Sequence, residues 1–219
     1  MLIVNKNNTI IETPIKEYKN SIRKRIENTN NRIKIRKNLK IIIAGEGAVG
    51  KTTLIQRYLG RPFRAQYLVT LGVQTSAVSI NLETIIGLNE SIDLQLWDLA
   101  GQQQYRDVVK QFFVGTDEAI VVGDLSRIST IEKVIDWIDQ INKQNMKNTR
   151  FIIVGSKLDL VTGFEGSLEA KIKEILLKTK DQFNIDEEII FIKTSSLDNI
   201  NITEVFELAI LRNILGLNR

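Results

Sequence analysis

Apolar and polar positions along this chain repeat with two different periods, and the switches between them mark the elements. Leu39-Lys40-Ile41-Ile42-Ile43-Ala44 is a short apolar run rich in β-branched residues, which reads as a buried strand, and residues 53–59 read as the helix that follows. Residues 60–72 are punctuated by Gly and Pro without a clean period. Strands are predicted over 73–82 and 92–97, and Gly87-Leu88-Asn89-Glu90-Ser91 between them suits a hairpin-type connection. A strand follows at 119–124, then a helix with Ile131, Val134, Ile135, Ile138 and Ile141 on one face, and a strand at 151–155. A helix near 167–183, a strand at 189–193 and a helix near 202–215 complete the series. Strands alternating with amphipathic helices predict an α/β fold: a mostly parallel six-stranded sheet with helices on both faces, binding ligands at the strands' carboxyl ends.

The first 38 residues follow a different rule. Residues 1–12 show no sustained period and are expected to be loosely ordered. Thr13-Pro14 reads as an N-cap followed by proline at the first helical position, with Glu17 in the first turn. Ile15, Tyr18, Ile22, Ile26 and Ile33 then fall on one narrow helical face, and Lys and Arg cover most of the rest. Asn28-Thr29-Asn30-Asn31 are weak helix formers where that helix can break. The chain therefore divides into an extension, 1–38, partly helical or flexible, and a domain, 39–219. Three readings of the extension stand: a solvated arm, a helix packed on the domain or a partner, or an arm on a membrane surface or nucleic acid.

Charge sharpens that division. Residues 1–40 hold 11 Lys/Arg against 3 Asp/Glu and the remainder 19 against 23, so the net +4 belongs to the extension. With 219 residues, 43% of them hydrophobic, the chain suits one α/β domain with a sizeable core. No run approaches the roughly 18 apolar residues of a membrane span. The absence of Cys excludes disulfides, thiolate metal sites, palmitoylation and prenylation, and Met1 is not followed by the glycine of a myristoylation site. The expectation is a cytoplasmic monomer without a lipid anchor, able to touch an anionic membrane through its basic arm and not expected to bind nucleic acid.

The chemistry centres on Gly45-Glu46-Gly47-Ala48-Val49-Gly50-Lys51-Thr52, which fits G-x-x-x-x-G-K-[ST] between a predicted strand and helix. Glycines let successive N–H groups turn inward as an anion nest at a helix N-terminus, where the helix dipole also favours negative charge. Lys51 reaches the β- and γ-phosphates and the Thr52 hydroxyl can take one Mg²⁺ position. The plainer alternative, a glycine-rich turn with a surface lysine, does not require the strand and helix found on either side. Each further motif also follows a predicted strand. Asp98 is placed like a carboxylate holding Mg²⁺, with Gly101 and Gln102 in the next turn. Ser156-Lys157-Leu158-Asp159 follows the strand at 151–155, and Thr194-Ser195-Ser196 that at 189–193.

These elements, in this order, resemble the small GTPases of the Ras superfamily over about residues 39–215, and Ile92 to Gln102 with Tyr105-Arg106 and Phe112-Phe113 look most like the Rab and Ran branch. The resemblance implies a P-loop three-layer sandwich that binds GTP and GDP with Mg²⁺ and hydrolyses GTP slowly, as a switch in trafficking or signalling. It implies that Gly45 through Thr53 wrap the phosphates and that Thr70 joins Mg²⁺ with its hydroxyl and meets the γ-phosphate with its N–H. Gln102 would orient the attacking water, with Lys51 and Thr70 assisting. Lys157 would lie along the base, Asp159 would accept two hydrogen bonds from guanine, Ser195 and Ser196 would form the last base-binding turn, and Phe63 would pack on the ring. Regulators and effectors would meet residues about 61–72 and 100–113.

The sequence also departs from that pattern. Ser156 stands where Asn is usual, which is expected to weaken the bracing of base loop to phosphate loop. Leu197 replaces a Lys, Thr75 a Phe, and the final residues carry no prenylation signal. A module that holds nucleotide without turnover is the rival reading; retention of Gln102, Thr70 and an unobstructed Gly47 argues against it.

Overall fold

The computed structural model describes residues 1–5, 7–28, 35–64, 69–145, 149–161, 165–183 and 188–214. In chain order the elements are β1 (Leu2–Val4), β2 (Ile10–Glu12), α1 (Ile15–Glu27), β3 (Asn38–Gly45), α2 (Lys51–Tyr58), β4 (Val73–Asn81), α3 (Glu83–Ile86) and β5 (Ser91–Leu99). They continue with α4 (Arg106–Lys110), β6 (Glu118–Asp124), α5 (Ile128–Glu132), α6 (Val134–Asn145), β7 (Arg150–Ser156), α7 (Glu165–Phe183), β8 (Ile189–Lys193) and α8 (Ile202–Ile214). One sheet holds all the strands in the order β2-β1-β8-β7-β6-β3-β5-β4. The five from β8 to β5 are parallel; β4 joins antiparallel at one edge, and β1 with β2 antiparallel at the other.

The near-continuous apolar runs of the inner strands are explained by burial on both faces. Ile41, Ile43, Ile120, Val122, Ile152 and Val154 point into one core with α2 and α8. Their neighbours Ile42, Ala44, Ala119, Val121, Phe151 and Ile153 point into the other with α6 and α7. The expected helix carrying Ile131 and Ile141 is two, α5 and α6, parted at Lys133. No helix among the described residues is long and apolar enough to cross a membrane.

Among the described residues the sheet has eight strands rather than the expected six, because Leu2–Val4 and Ile10–Glu12, within the stretch 1–12 expected to be loosely ordered, pair on its edge. Leu2, Ile3 and Val4 pair with Phe191, Ile190 and Ile189, and all three are buried. Three apolar residues cannot show a period, and their partner strand lies nearly 190 positions away, so only the tertiary fold reveals the pairing. The hairpin tip is a turn built on Asn5, whose side-chain oxygen accepts from the N–H groups of Asn7 and Thr9 at 3.0 Å each. Helix α1 then packs against α8 with Ile22 buried, the Tyr18 hydroxyl donating to Glu188 at 2.7 Å and Lys19 paired with Glu207. Among the described residues the arm is thus packed on the domain. Ile33, expected on the same face, lies outside the described residues, as does the side chain of Ile26.

Candidate functional site

The parallel strands deliver their following loops to one end of the sheet, where the strand order reverses between β3 and β6. The first loop, residues 45–50, turns β3 into α2 with Gly45 at φ +139°, Ala48 at +60° and Gly50 at +96°. A Cβ on Gly45 would lie 2.2 Å from the Val122 carbonyl oxygen, so only glycine allows β3 to approach β6 there. Ala48 is held in the left-handed region without glycine's freedom, a strained turn at a binding loop.

Lys51 lies across this loop, donating to the carbonyl oxygens of Gly45 at 2.8 Å and Glu46 at 2.7 Å. Burial pushes its ammonium down from 10.5 to about 8, against the attraction of Asp98 and Glu46. An arriving phosphate would restore the charge that burial disfavours.

Thr52, Thr70 and Asp98 meet beside it. The Thr52 hydroxyl donates to Asp98 Oδ2 at 2.5 Å and lies 3.0 Å from the Thr70 hydroxyl, which must then be the donor of that pair. Burial raises the Asp98 carboxyl, opposed by the Thr52 hydrogen bond and by Lys51. Among the described residues its Oδ1 is buried without a hydrogen-bond partner. A hard oxygen donor set with one orphaned carboxylate oxygen fits Mg²⁺. The described residues contain no cluster of three His, Cys, Asp or Glu, so such an ion would share its shell with phosphate oxygens and water.

Gly101 is closed against the phosphate loop: a Cβ there would fall 2.3 Å from the Gly45 carbonyl oxygen and 2.4 Å from the Glu46 backbone. Gln102 follows, and a Cβ on Gly47 would lie 3.8 Å from its Cγ, so Gly47 leaves the space between loop and glutamine open.

After β7, Lys157 adopts φ +59° and runs back to the phosphate loop, donating to the Ala48 carbonyl at 3.0 Å and pairing with Asp124 at 2.7 Å. Asp124 is fully buried at the end of β6. Burial would raise its carboxyl, but hydrogen bonds from Lys157, Ser126 and Arg127 outweigh that and hold it below the usual carboxylate range. Arg127 in turn donates to the carbonyls of Gly47 and Ala48 at 3.2 and 3.1 Å. Asp159 accepts a 2.6 Å hydrogen bond from the buried Ser195 hydroxyl, which fixes one carboxylate oxygen.

Ser156, where a weakened brace is expected, does touch the phosphate loop. Its hydroxyl lies 2.6 Å from the Val49 carbonyl oxygen and 3.0 Å from that of Gly123, so the short side chain reaches the phosphate loop directly and shares its one proton between two acceptors.

These groups surround a cavity of about 740 Å³, large enough for a nucleotide. Residues 47–53, Phe63, Thr70, Gly101, Gln102, Ser156, Lys157, Asp159 and Ser196 line it. Gly45, Glu46, Asp98 and Ser195 stand behind the lining and hold it in place. Leu160 and Leu197, more than half exposed, add apolar walls at the base end beside Phe63. Sequence reasoning missed Asp124 and Arg127, although Asp124 closes a predicted strand as Asp98 does. It also missed Trp137, which the helical period marks only as core.

A family model described as the Ras family matches residues 40–215. "Ras-related protein RABA5e" of Arabidopsis thaliana is 31% identical over 172 residues, covering 78% of this chain and 72% of that protein. "Ras-related protein RabC" of Dictyostelium discoideum is 32% identical over 174 residues, covering 78% and 81%. The "Ras and EF-hand domain-containing protein homolog" of Caenorhabditis elegans is 30% identical over 177 residues, covering 81% of this chain and 26% of that protein.

Proposed function

The chain belongs to the Ras family and is related to Rab proteins, and on that premise we propose that it is a GTP-binding switch that hydrolyses GTP to GDP and phosphate with Mg²⁺. The observation that carries this is the convergence of two dissimilar half-sites on one cavity. A phosphate half holds Lys51 and the Thr52, Thr70 and Asp98 oxygens; a base half holds Asp159 fixed by Ser195.

Asp159 accepts from the N1–H and exocyclic amine of guanine, whereas adenine presents an acceptor and a C–H there. Phosphoryl transfer asks mainly for positioning and charge neutralisation, and Mg²⁺, when bound, would supply the latter. Thr52 and Thr70 would hold it with their hydroxyl oxygens and Asp98 with Oδ1. Lys51 binds the phosphates, and Gln102 orients water over the space that Gly47 leaves open. Loss of the γ-phosphate removes contacts of Thr70 and Gly101, so the segments about 61–72 and 100–113 relax and change the surface shown to effectors. Residues 65–68 of the first lie outside the described residues; Val69, Leu71 and Val108 are exposed apolar side chains suited to a partner.

The division into an extension, 1–38, and a GTPase domain, 39–219, is part of this reading, as is a role in trafficking or signalling. The basic face of α1, with Lys16, Lys24 and Arg25 exposed, adds electrostatic attraction to an anionic membrane. Chromatography of the supernatant of denatured protein tests the reading first: guanine nucleotide is expected, and an adenine nucleotide overturns it. Phosphate release from GTP-loaded protein follows, and binding without release leaves a nucleotide-holding module.

A further inference from the structure

The segment that carries Gln102 is attached to the phosphate loop at both ends, and Glu46 takes part in each attachment. At its start Gly101 is in backbone contact with Gly45 and Glu46. At its end Arg106, the first residue of α4, donates a terminal guanidinium N–H to Glu46 Oε1. The same carboxylate oxygen accepts from Trp137 Nε1 at 3.1 Å, and the guanidinium lies 5.2 Å from the Trp137 ring centroid. Phosphate loop, α4 and α6 therefore meet in one cluster, with Trp137 fully buried and the Arg106 and Glu46 side chains 16% and 27% exposed.

Only a single 3-10 turn, Gln103–Tyr105, separates Gln102 from Arg106. With both ends of so short a span fixed, the position of Gln102 follows from where they are fixed. A charge-assisted bond whose acceptor is also held by an indole N–H, with the cation over that indole, is stronger and more directional than an exposed ion pair. We propose that Arg106, acting through Glu46 and Trp137, is a positioning residue for Gln102 in GTP hydrolysis. The contact at Gly101 is backbone against backbone; the contact at Arg106 is made by side chains and sets the reach of the glutamine. This proposal rests on the GTPase reading above and concerns the same site.

The test uses the full chain and separates binding from turnover. Release of fluorescent mant-GDP and mant-GTP and single-turnover hydrolysis are compared for the unsubstituted chain, Arg106→Gln and Arg106→Lys. Hydrolysis by Arg106→Gln is expected to slow about tenfold to a hundredfold while nucleotide release stays within about threefold, the signature of misplacement rather than lost binding. Arg106→Lys keeps the charge without the planar fork and recovers part of the rate. Trp137 gives an independent signal, since the chain has two tryptophans and a Trp97→Phe background leaves one. In that background, Arg106→Gln should shift the Trp137 emission, because the guanidinium over its ring is lost, and an unchanged emission overturns the cluster. Unchanged hydrolysis overturns the proposal, and so does nucleotide release accelerated by the factor that hydrolysis loses, which makes Arg106 a brace of the phosphate loop alone. Failure of the unsubstituted chain to bind either mant-nucleotide overturns the GTPase reading as well, and is distinguished by being seen before any substitution.

Discussion

At the carboxyl ends of β3 and β5, Lys51, Thr52 and Asp98 reach their partners through two short motifs whose spacing alone predicts where they go. At the opposite edge of the same sheet, β1 and β2 have no motif. Leu2, Ile3 and Val4 are held by residues 189–191, and α1 is held by Ile22 in the core and by Tyr18 on Glu188. The site is polar, strained at Ala48 and Lys157, and made of loops on a rigid frame; the edge is apolar pairing over great sequence distance. Chemistry constrains residue type and spacing together, whereas pairing at a sheet edge constrains only shape and hydrophobicity. Substitutions in the two regions should therefore fail in different ways.

The largest effect is expected at Asp159. Replacing it with Asn removes a charged acceptor facing two donors while leaving an oxygen for the Ser195 hydroxyl, so the protein should fold. Guanine over xanthine preference should fall by on the order of 10²–10⁴, two charged hydrogen bonds' worth. Competition binding with GDP and XDP measures it, and an unchanged preference would remove Asp159 from the base site.

Next comes the edge. Ile3 is buried in the core shared with α2 and α8, so Ile3→Ala should cost about 2–4 kcal/mol of stability through lost burial and the cavity left behind. Denaturant unfolding reads the loss and competition binding reads selectivity. A drop in stability with guanine preference intact keeps the two regions distinct. A loss of both would mean that β1 supports the base loop, which β8 leads into directly.

Legibility followed the same line. The order of strands and helices from residue 39 onward could be read because apolar runs and amphipathic helices have lengths and periods. The phosphate loop, Asp98, Lys157 and Asp159 could be read because each closes a strand that the pattern had already located. Leu2–Val4 could not, because a three-residue strand has no period and its pairing partner is set by the finished sheet. Arg127 and Trp137 could not either: one reaches phosphate-loop carbonyls 79 and 80 positions earlier in the chain, and the other looks like any buried face of a helix. The contact of Ser156 with Val49 could not be read either, because side-chain length says nothing of how near the two loops come.

A smaller effect ties the site to pH. Burial holds Lys51 at about 8 in the folded chain, below its ordinary 10.5. Below about pH 8 the folded state bears the full cost of a buried ammonium. Between there and 10.5 it sheds the proton that the unfolded chain keeps, so this group adds stability as pH rises through that window. Nucleotide affinity should move the other way, because the phosphates need the charged form: a fall of about tenfold from pH 7 to 9 is expected, with proton uptake on binding. Calorimetry of GDP binding in buffers of different ionisation enthalpy measures both, and no uptake at pH 8.5 would mean that Lys51 stays charged throughout.

The smallest effect concerns Ser156, where the phosphate and base loops meet. Its hydroxyl can donate to Val49 or to Gly123, one bond at a time, and the residue is only 6% exposed. Ser156→Ala removes that bond while leaving both carbonyls in place, so GDP release should quicken by about threefold to tenfold, corresponding to one net hydrogen bond of about 0.5–1.5 kcal/mol. Asn at this position would supply an amide with longer reach, but the hydroxyl already spans the gap. Ser156→Asn should therefore not slow release. A measured slowing would show that the serine brace falls short of what the loop can use, and no change in Ser156→Ala would show that the two loops are held together by Lys157 and Arg127 through Asp124.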